Sequence, residues 1–179
     1  MIAECLIFLA SFAPPVVTYD NIMEYKYCSD IVPEYPAENF KFIQQHFEPI
    51  NWDVAVRISW CESRGNENAL RTAEGNNDSG LFQFVSWTWN WIADEYHLPR
   101  WGEWVILHHG QPYVGPTSRS SYGFEQMQVQ YSPYYNTLFA SLLAEDIYDR
   151  VQFRDWSSSE WCWGSTKKFI KLVAKEKSM

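Results

Sequence analysis

The chain is short of positive charge. Its 179 residues carry 14 Lys and Arg against 22 Asp and Glu, a net charge of −8. Binding nucleic acid in general needs the opposite balance, so nucleic acid is not an expected partner. Long apolar runs are also missing. None reaches the roughly 20 residues that cross a bilayer, so no stable membrane span is expected. There is no P-loop, no GxGxxG, no CxxC and no internal repeat. These absences remove the common sequence marks of nucleotide, zinc and solenoid proteins. What is present is apolar and aromatic. Hydrophobic residues make up 46% and aromatics 18%, including 10 Trp. That excludes a disordered or low-complexity chain. At this length one domain buries roughly 70% of its unfolded surface. Excess aromatics in an acidic chain suit a groove that stacks sugar rings, and equally a Trp-rich core.

The little positive charge there is lies at one end. Residues 167–177 hold five Lys against one Glu, or +4, which leaves −12 for the rest. Most such tails are solvated helix faces. At the other end, residues 2–13 form a short apolar stretch ending in small residues, similar to the core of a secretory signal. Glu4 interrupts it and no Lys or Arg precedes it, so a partly buried N-terminal element is the competing reading. Four cysteines stand at positions 5, 28, 61 and 162. Two bridges among them have three connectivities, and buried free thiols are the alternative.

Along the chain, Phe40, Ile43 and Phe47 follow a helical stripe between Pro36 and Pro49. Asn51 is placed to cap a second helix, with Gly65 at its left-handed end. Residues 66–79 read as turns or a small hairpin. Ser86 is placed to cap a helix running to about Tyr96, in which Trp87, Trp89 and Trp91 cannot all face one way, so at least one belongs to the core. Residues 99–131 are rich in Gly and Pro and read as a long, loop-rich insertion. Ser132 and Pro133 predict an N-cap and first helical position, for a helix to about Arg150. The expected fold class is α+β, predominantly α. The expected organisation is a lead-in over 1–37, a catalytic domain over 38–165, and a basic helix over 166–179.

The stretch from Trp60 to Ala69, followed by Asp78-Ser79-Gly80-Leu81-Phe82-Gln83-Phe84, carries the chemistry. Glu62 closes a helix on a largely apolar face, and both features disfavour its carboxylate. A carboxylic acid kept protonated near neutral pH is what general acid catalysis at a glycosidic oxygen needs. Asp78 sits in a polar Asn-Asp-Ser-Gly segment that keeps it ionised. Two carboxyls in contrasting settings form an acid and a second catalytic carboxylate. An ordinary helix-end Glu and turn Asp are the plain alternative. His108 and His109 lack a third ligand nearby, so no metal site is expected.

Glu62-Ser63-Arg64-Gly65-Asn66-Glu67-Asn68-Ala69, then Ser79-Gly80-Leu81-Phe82-Gln83-Phe84 and Ser86-Trp87-Thr88-Trp89, resemble the lysozyme-like soluble lytic transglycosylase family. Tyr134-Tyr135-Asn136 is similar to that family's segment ahead of a core helix. The Asp78-Ser79-Gly80 step is similar to the Asp-Tyr-Gly turn of animal lysozymes, where the Asp is the second carboxylate. Lysozyme is a standard worked case of such a pair. The resemblance covers about residues 50–98 and 132–164. The Ala-Tyr-Asn-Ala-Gly motif of many transglycosylases is missing. Asp155 to Trp163 stands there, similar to the ending of a branch whose acid is preceded by Cys. In that branch Cys61 and Cys162 are bonded.

The resemblance implies a lysozyme-like domain that cleaves the β-1,4 bond between N-acetylmuramic acid and N-acetylglucosamine in peptidoglycan. Glu62 is then the proton donor and Asp78 the candidate second carboxylate. Ser63, Gln83, Trp87, Tyr135 and Asn136 are the candidate substrate-binding residues. No cofactor is implied. The expected state is a monomer, extracellular, periplasmic or associated with a phage virion. One alternative is a lytic transglycosylase releasing 1,6-anhydro products with Glu62 alone. Another, of a different class, is a non-catalytic glycan-binding or virion structural protein.

Overall fold

A computed structural model describes Ile2, Cys5, Ile7, and residues 35–73, 76–113, 115, 123–144 and 153–179. Most of the N-terminal lead-in and the expected helix end near Arg150 lie outside these residues. In chain order, α1 spans Ala37–His46 and a 3-10 turn over Pro49–Asn51 leads into α2, Trp52–Ser63. Strands β1, Leu70–Ala73, and β2, Asn76–Ser79, precede α3, Ser86–Tyr96. Strands β3, Trp104–His108, β4, Gln111–Pro112, and β5, Phe124–Gln128, come next. Helix α4 is Pro133–Ala144. A 3-10 segment, Arg154–Ser159, runs into α5, Glu160–Trp163, and α6 is Thr166–Lys177. The fold is mixed α and β and mostly helical. Among the described residues no helix is long and apolar enough to cross a membrane.

The chain divides into two compact units, Met1–Gly65 with Phe153–Met179, and Asn66–Gln152. The C-terminal helix α6 belongs with the first unit. Its Phe169 and Val173 are buried there, and Phe169 meets Trp60 edge-on at 5.0 Å. Phe40, Ile43 and Phe47 of the expected stripe are buried in the same unit, as are Ile58 and Trp156. Burying such side chains is worth about 1.5–3 kcal/mol each. Ile2 and Cys5 are helical and buried. Asn51 makes no side-chain cap. It ends the 3-10 turn, its N–H bonded to the Glu48 carbonyl at 2.8 Å, so the turn starts the helix in its place. At the other end Arg64 is left-handed and bonds back to Trp60, with Gly65 following at φ +73°. A Cβ on Gly65 would lie 2.9 Å from the Tyr35 ring.

In the second unit, β1 and β2 form the expected hairpin, with Arg71 opposite Asp78. Ser86 proves to be the first residue of α3 and makes no cap. Trp89 is the core member of the Trp series. It stacks on Phe139 of α4 at 3.8 Å and donates its indole N–H to the Pro99 carbonyl. Ser132 does cap α4, accepting from the Tyr135 N–H at 3.4 Å. The loop reading of 99–131 is corrected in part. Strands β4, β3 and β5 make an antiparallel sheet in that order. The β3–β4 link is the two-residue turn His109-Gly110, both at positive φ. Two positive-φ residues match the right-handed strand twist, which is why so tight a hairpin can form.

Candidate functional site

Glu62 lies in the last turn of α2 and is half-buried. Its Oε1 accepts a hydrogen bond from Ser159 Oγ at 2.5 Å. Ser159 Oγ also lies 3.1 Å from the Trp156 carbonyl, a second acceptor for its single proton. Trp163 donates its indole N–H to Ser159 Oγ at 3.1 Å and to the Trp156 carbonyl at 3.0 Å. A hydroxyl has one proton to give and two lone pairs to receive. When Glu62 is ionised, Ser159 donates to it. When Glu62 is protonated, Ser159 can turn its proton to the Trp156 carbonyl and accept from the acid. Both protonation states are satisfied without moving a heavy atom.

Two further ties fix this geometry. Cys61 and Cys162 are bonded, with Cα atoms 6.1 Å apart, within the range a bridge needs. The pairing that the family resemblance implied is therefore present. Arg57, one helical turn and a residue before Glu62, donates Nη1 to the Trp163 carbonyl and Nε to the Asp53 carbonyl. Burial pushes its guanidinium pKa down, and the Asp53 charge opposes that. Cys5 is also disulfide-bonded, whereas Cys28 lies outside the described residues. Ser63 belongs to the helix itself. It is buried, and its hydroxyl donates to the Ser59 carbonyl at 2.8 Å.

The second unit carries the other candidates. Asp78 is on β2, not in a turn, and is buried. Arg71 of β1 donates both Nε, at 2.9 Å, and Nη2 to the same oxygen, Oδ2. The charge that the sequence placed in an open polar turn is thus met by a cross-strand arginine. Gln83 sits at φ +52° and donates its amide to the Gly80 and Ala69 carbonyls. Asn136 is 1% exposed. Its Oδ1 accepts from the Phe82 N–H, and Nδ2 donates to the Gln130 and Ser79 carbonyls. Asn136 therefore holds the Ser79–Phe82 loop and has no polar group turned outward. Gly80 passes so close that a Cβ would lie 2.1 Å from Asn136 Nδ2, at φ +80°. Tyr135 is half-buried beside Tyr134, and burial raises its phenol pKa. Trp87 is 70% exposed and Trp91, one turn on, is 60% exposed.

Sequence reasoning missed Ser159, Trp163 and Arg57 as partners of the Glu62 segment. The signal available was the stretch Asp155 to Trp163, whose Cys162 fixes where its neighbours must lie. His108 stacks on Phe124 at 4.5 Å. Among the described residues no three His, Cys, Asp or Glu side chains gather as a metal site would require. Comparison with known protein families, curated proteins and solved structures finds no match.

Proposed function

We propose that the protein cleaves the β-1,4 N-acetylmuramic acid to N-acetylglucosamine bond of peptidoglycan, with Glu62 as the proton donor. One observation carries the reading: the Glu62–Ser159–Trp163 chain, in which a half-buried carboxyl has a partner able to serve both its acid and its base form. A glycosidase needs both forms in one cycle. Glu62 gives its proton to the leaving oxygen, and its carboxylate then takes one from the incoming hydroxyl. The exposed pair Trp87 and Trp91 offers apolar faces of the kind that pack on sugar rings. The disulfides support an extracellular or periplasmic setting, where thiols are oxidised.

A second reading differs in the nucleophile. Asp78 is buried and bound through Oδ2 by Arg71. A carboxylate already neutralised in this way is a weak nucleophile. That favours a lytic transglycosylase, in which the substrate's own 6-hydroxyl attacks and Glu62 serves alone. Digestion of purified peptidoglycan followed by mass spectrometry tests both readings. Reducing ends identify the hydrolase, with Asp78→Asn nearly inactive. Anhydro ends, with Asp78→Asn still active, identify the transglycosylase. Glu62→Gln should lower either activity by about 10²–10⁴-fold with folding intact. No product from the wild-type protein refutes both.

A further inference from the structure

Trp163 is pinned at both its backbone and its ring. Its carbonyl accepts from the half-buried Arg57 guanidinium, and its ring meets Phe153 edge-on at 6.3 Å. The indole N–H is thereby set between two acceptors, 3.1 Å from Ser159 Oγ and 3.0 Å from the Trp156 carbonyl. Ser159 Oγ lies within hydrogen-bond distance of that same carbonyl and of Glu62. An indole N–H donates and never accepts. Trp163 therefore takes no proton from Ser159 and instead competes with it for the Trp156 carbonyl. While Trp163 serves that carbonyl, the Ser159 proton is left to Glu62. The Cys61–Cys162 bridge and the Arg57 bond already tie this segment to α2, so anchoring does not call for the shared N–H.

We infer that Trp163 is a positioning residue for Glu62, whose shared N–H commits the Ser159 proton to the carboxylate and so favours its ionised form. A hydrogen bond to the charged form of an acid stabilises that form. Donors in series also polarise one another, which strengthens the last bond of the chain. The consequence for catalysis rests on the acid–base role proposed for Glu62: Trp163 then sets the upper pH at which the acid still holds its proton. The charged groups on the elements around the chain are placed otherwise. Asp53 acts on Arg57, and Arg64 pairs with Glu176. Arg154, Asp155, Glu160 and the α6 lysines are exposed. On α1, which packs against α2, burial lowers the His46 pKa to about 4.

Two NMR titrations of the full chain, without substrate, test this. In wild type the Trp163 indole N–H resonance, assigned through its own backbone, should move with pH at the Glu62 midpoint. In Glu62→Gln, which keeps His46, it should stay fixed over that range. The Glu62 midpoint itself is read from its isotope-labelled carboxyl. Ser159→Ala removes the whole bond to the charged group and should raise that midpoint by about 1–2 pH units. Trp163→Phe keeps an aromatic ring and the hydroxyl but deletes the N–H, and should raise it by roughly 0.3–1 unit. A ring that only filled space would leave the midpoint where it is. Three outcomes overturn the inference. They are an indole resonance that does not follow Glu62, a Trp163→Phe midpoint within about 0.1 unit of wild type, and a Trp163→Phe rise as large as that of Ser159→Ala. If Trp163→Phe does not fold, the wild-type indole titration decides alone. In glycan cleavage the alkaline limb of the pH profile should move up by the same amount in Trp163→Phe. The titrations need no cleavage, so a missing product refutes the acid role of Glu62 and leaves their result standing.

Discussion

Replacing Cys61 and Cys162 together with alanine should remove about 4–5 kcal/mol of stability. The bridge spans a sequence separation of 101 residues. In the chain-entropy model a loop of that length costs the unfolded state about 4.7 kcal/mol of closure freedom. Typical domains have only about 5–15 kcal/mol in total, so the loss is a large fraction. With an m-value of about 2 kcal/mol/M, the urea midpoint should fall by roughly 2 M. Urea titration followed by Trp fluorescence measures this, under non-reducing conditions so that the bond at Cys5 stays intact. Activity should fall further than stability explains, because Glu62 is adjacent to Cys61 and Ser159 lies three residues before Cys162. A loss under about 1 kcal/mol would refute the argument, since the crosslink would then leave the unfolded ensemble unconstrained.

Three further outcomes are expected. Ser159→Ala removes a bond to a charged group worth about 1.5–3 kcal/mol. It should cut glycan cleavage about 10- to 100-fold and lower the melting temperature by roughly 3–12 °C, and Ser159→Thr should restore most of both losses. Burial lowers the His46 pKa from 6.5 to about 4, so between those values the unfolded chain binds the extra proton. Stability should therefore fall as pH drops from about 6.5 to 4, by about 1–2 kcal/mol after allowing for solvent screening. His46→Gln should flatten that part of a denaturation-against-pH curve. Asn136→Leu removes the bonds to the Phe82 N–H and to the Gln130 carbonyl, both buried, at about 1–3 kcal/mol each. A denaturation midpoint within error of wild type would show that the loop does not need this side chain.

The elements legible in the sequence are those set by local chemistry. The Phe40–Ile43–Phe47 stripe needs only a period, and Ser132-Pro133 needs only a cap followed by a fixed φ. The hairpin over 66–79 followed from turn residues alone. Its register was not legible, and register is what puts Arg71 across from Asp78. The sheet within 99–131 was hidden for a related reason. Strand β3 pairs with β5 through Trp104 opposite Gln128 and His108 opposite Phe124, partners 16 or more residues apart. Its tight turn uses His109 in a left-handed conformation where Asn or Gly is the common signal. At the candidate site, Glu62 stood out by its neighbours, but its partner did not. Ser157, Ser158 and Ser159 are equivalent in sequence. Only the phase of the 3-10 turn decides which hydroxyl reaches the carboxylate.

The first unit is discontinuous in sequence, and this governs how Glu62 is held. Its contacts with the C-terminal segment all act over about a hundred residues: 97 for Glu62 with Ser159, 101 for the disulfide, and 106 for Arg57 with the Trp163 carbonyl. Formed alone, each weak contact would have to overcome the closure entropy of the whole intervening chain. Once the disulfide exists, that entropy is already lost, and the two hydrogen bonds form as if between neighbours. The three ties are therefore strongly non-additive. With the bridge intact, Ser159→Ala loses little more than its own bond. Without it, the same substitution removes one of the few contacts, with Arg57 to the Trp163 carbonyl and Arg64 to Glu176, that together oppose opening of the segment. A double-mutant cycle between Ser159→Ala and the Cys61→Ala/Cys162→Ala variant should show a coupling energy of at least about 1 kcal/mol. Simple additivity would mean that other packing, such as Phe169 against Trp60, closes the unit without help from the bridge.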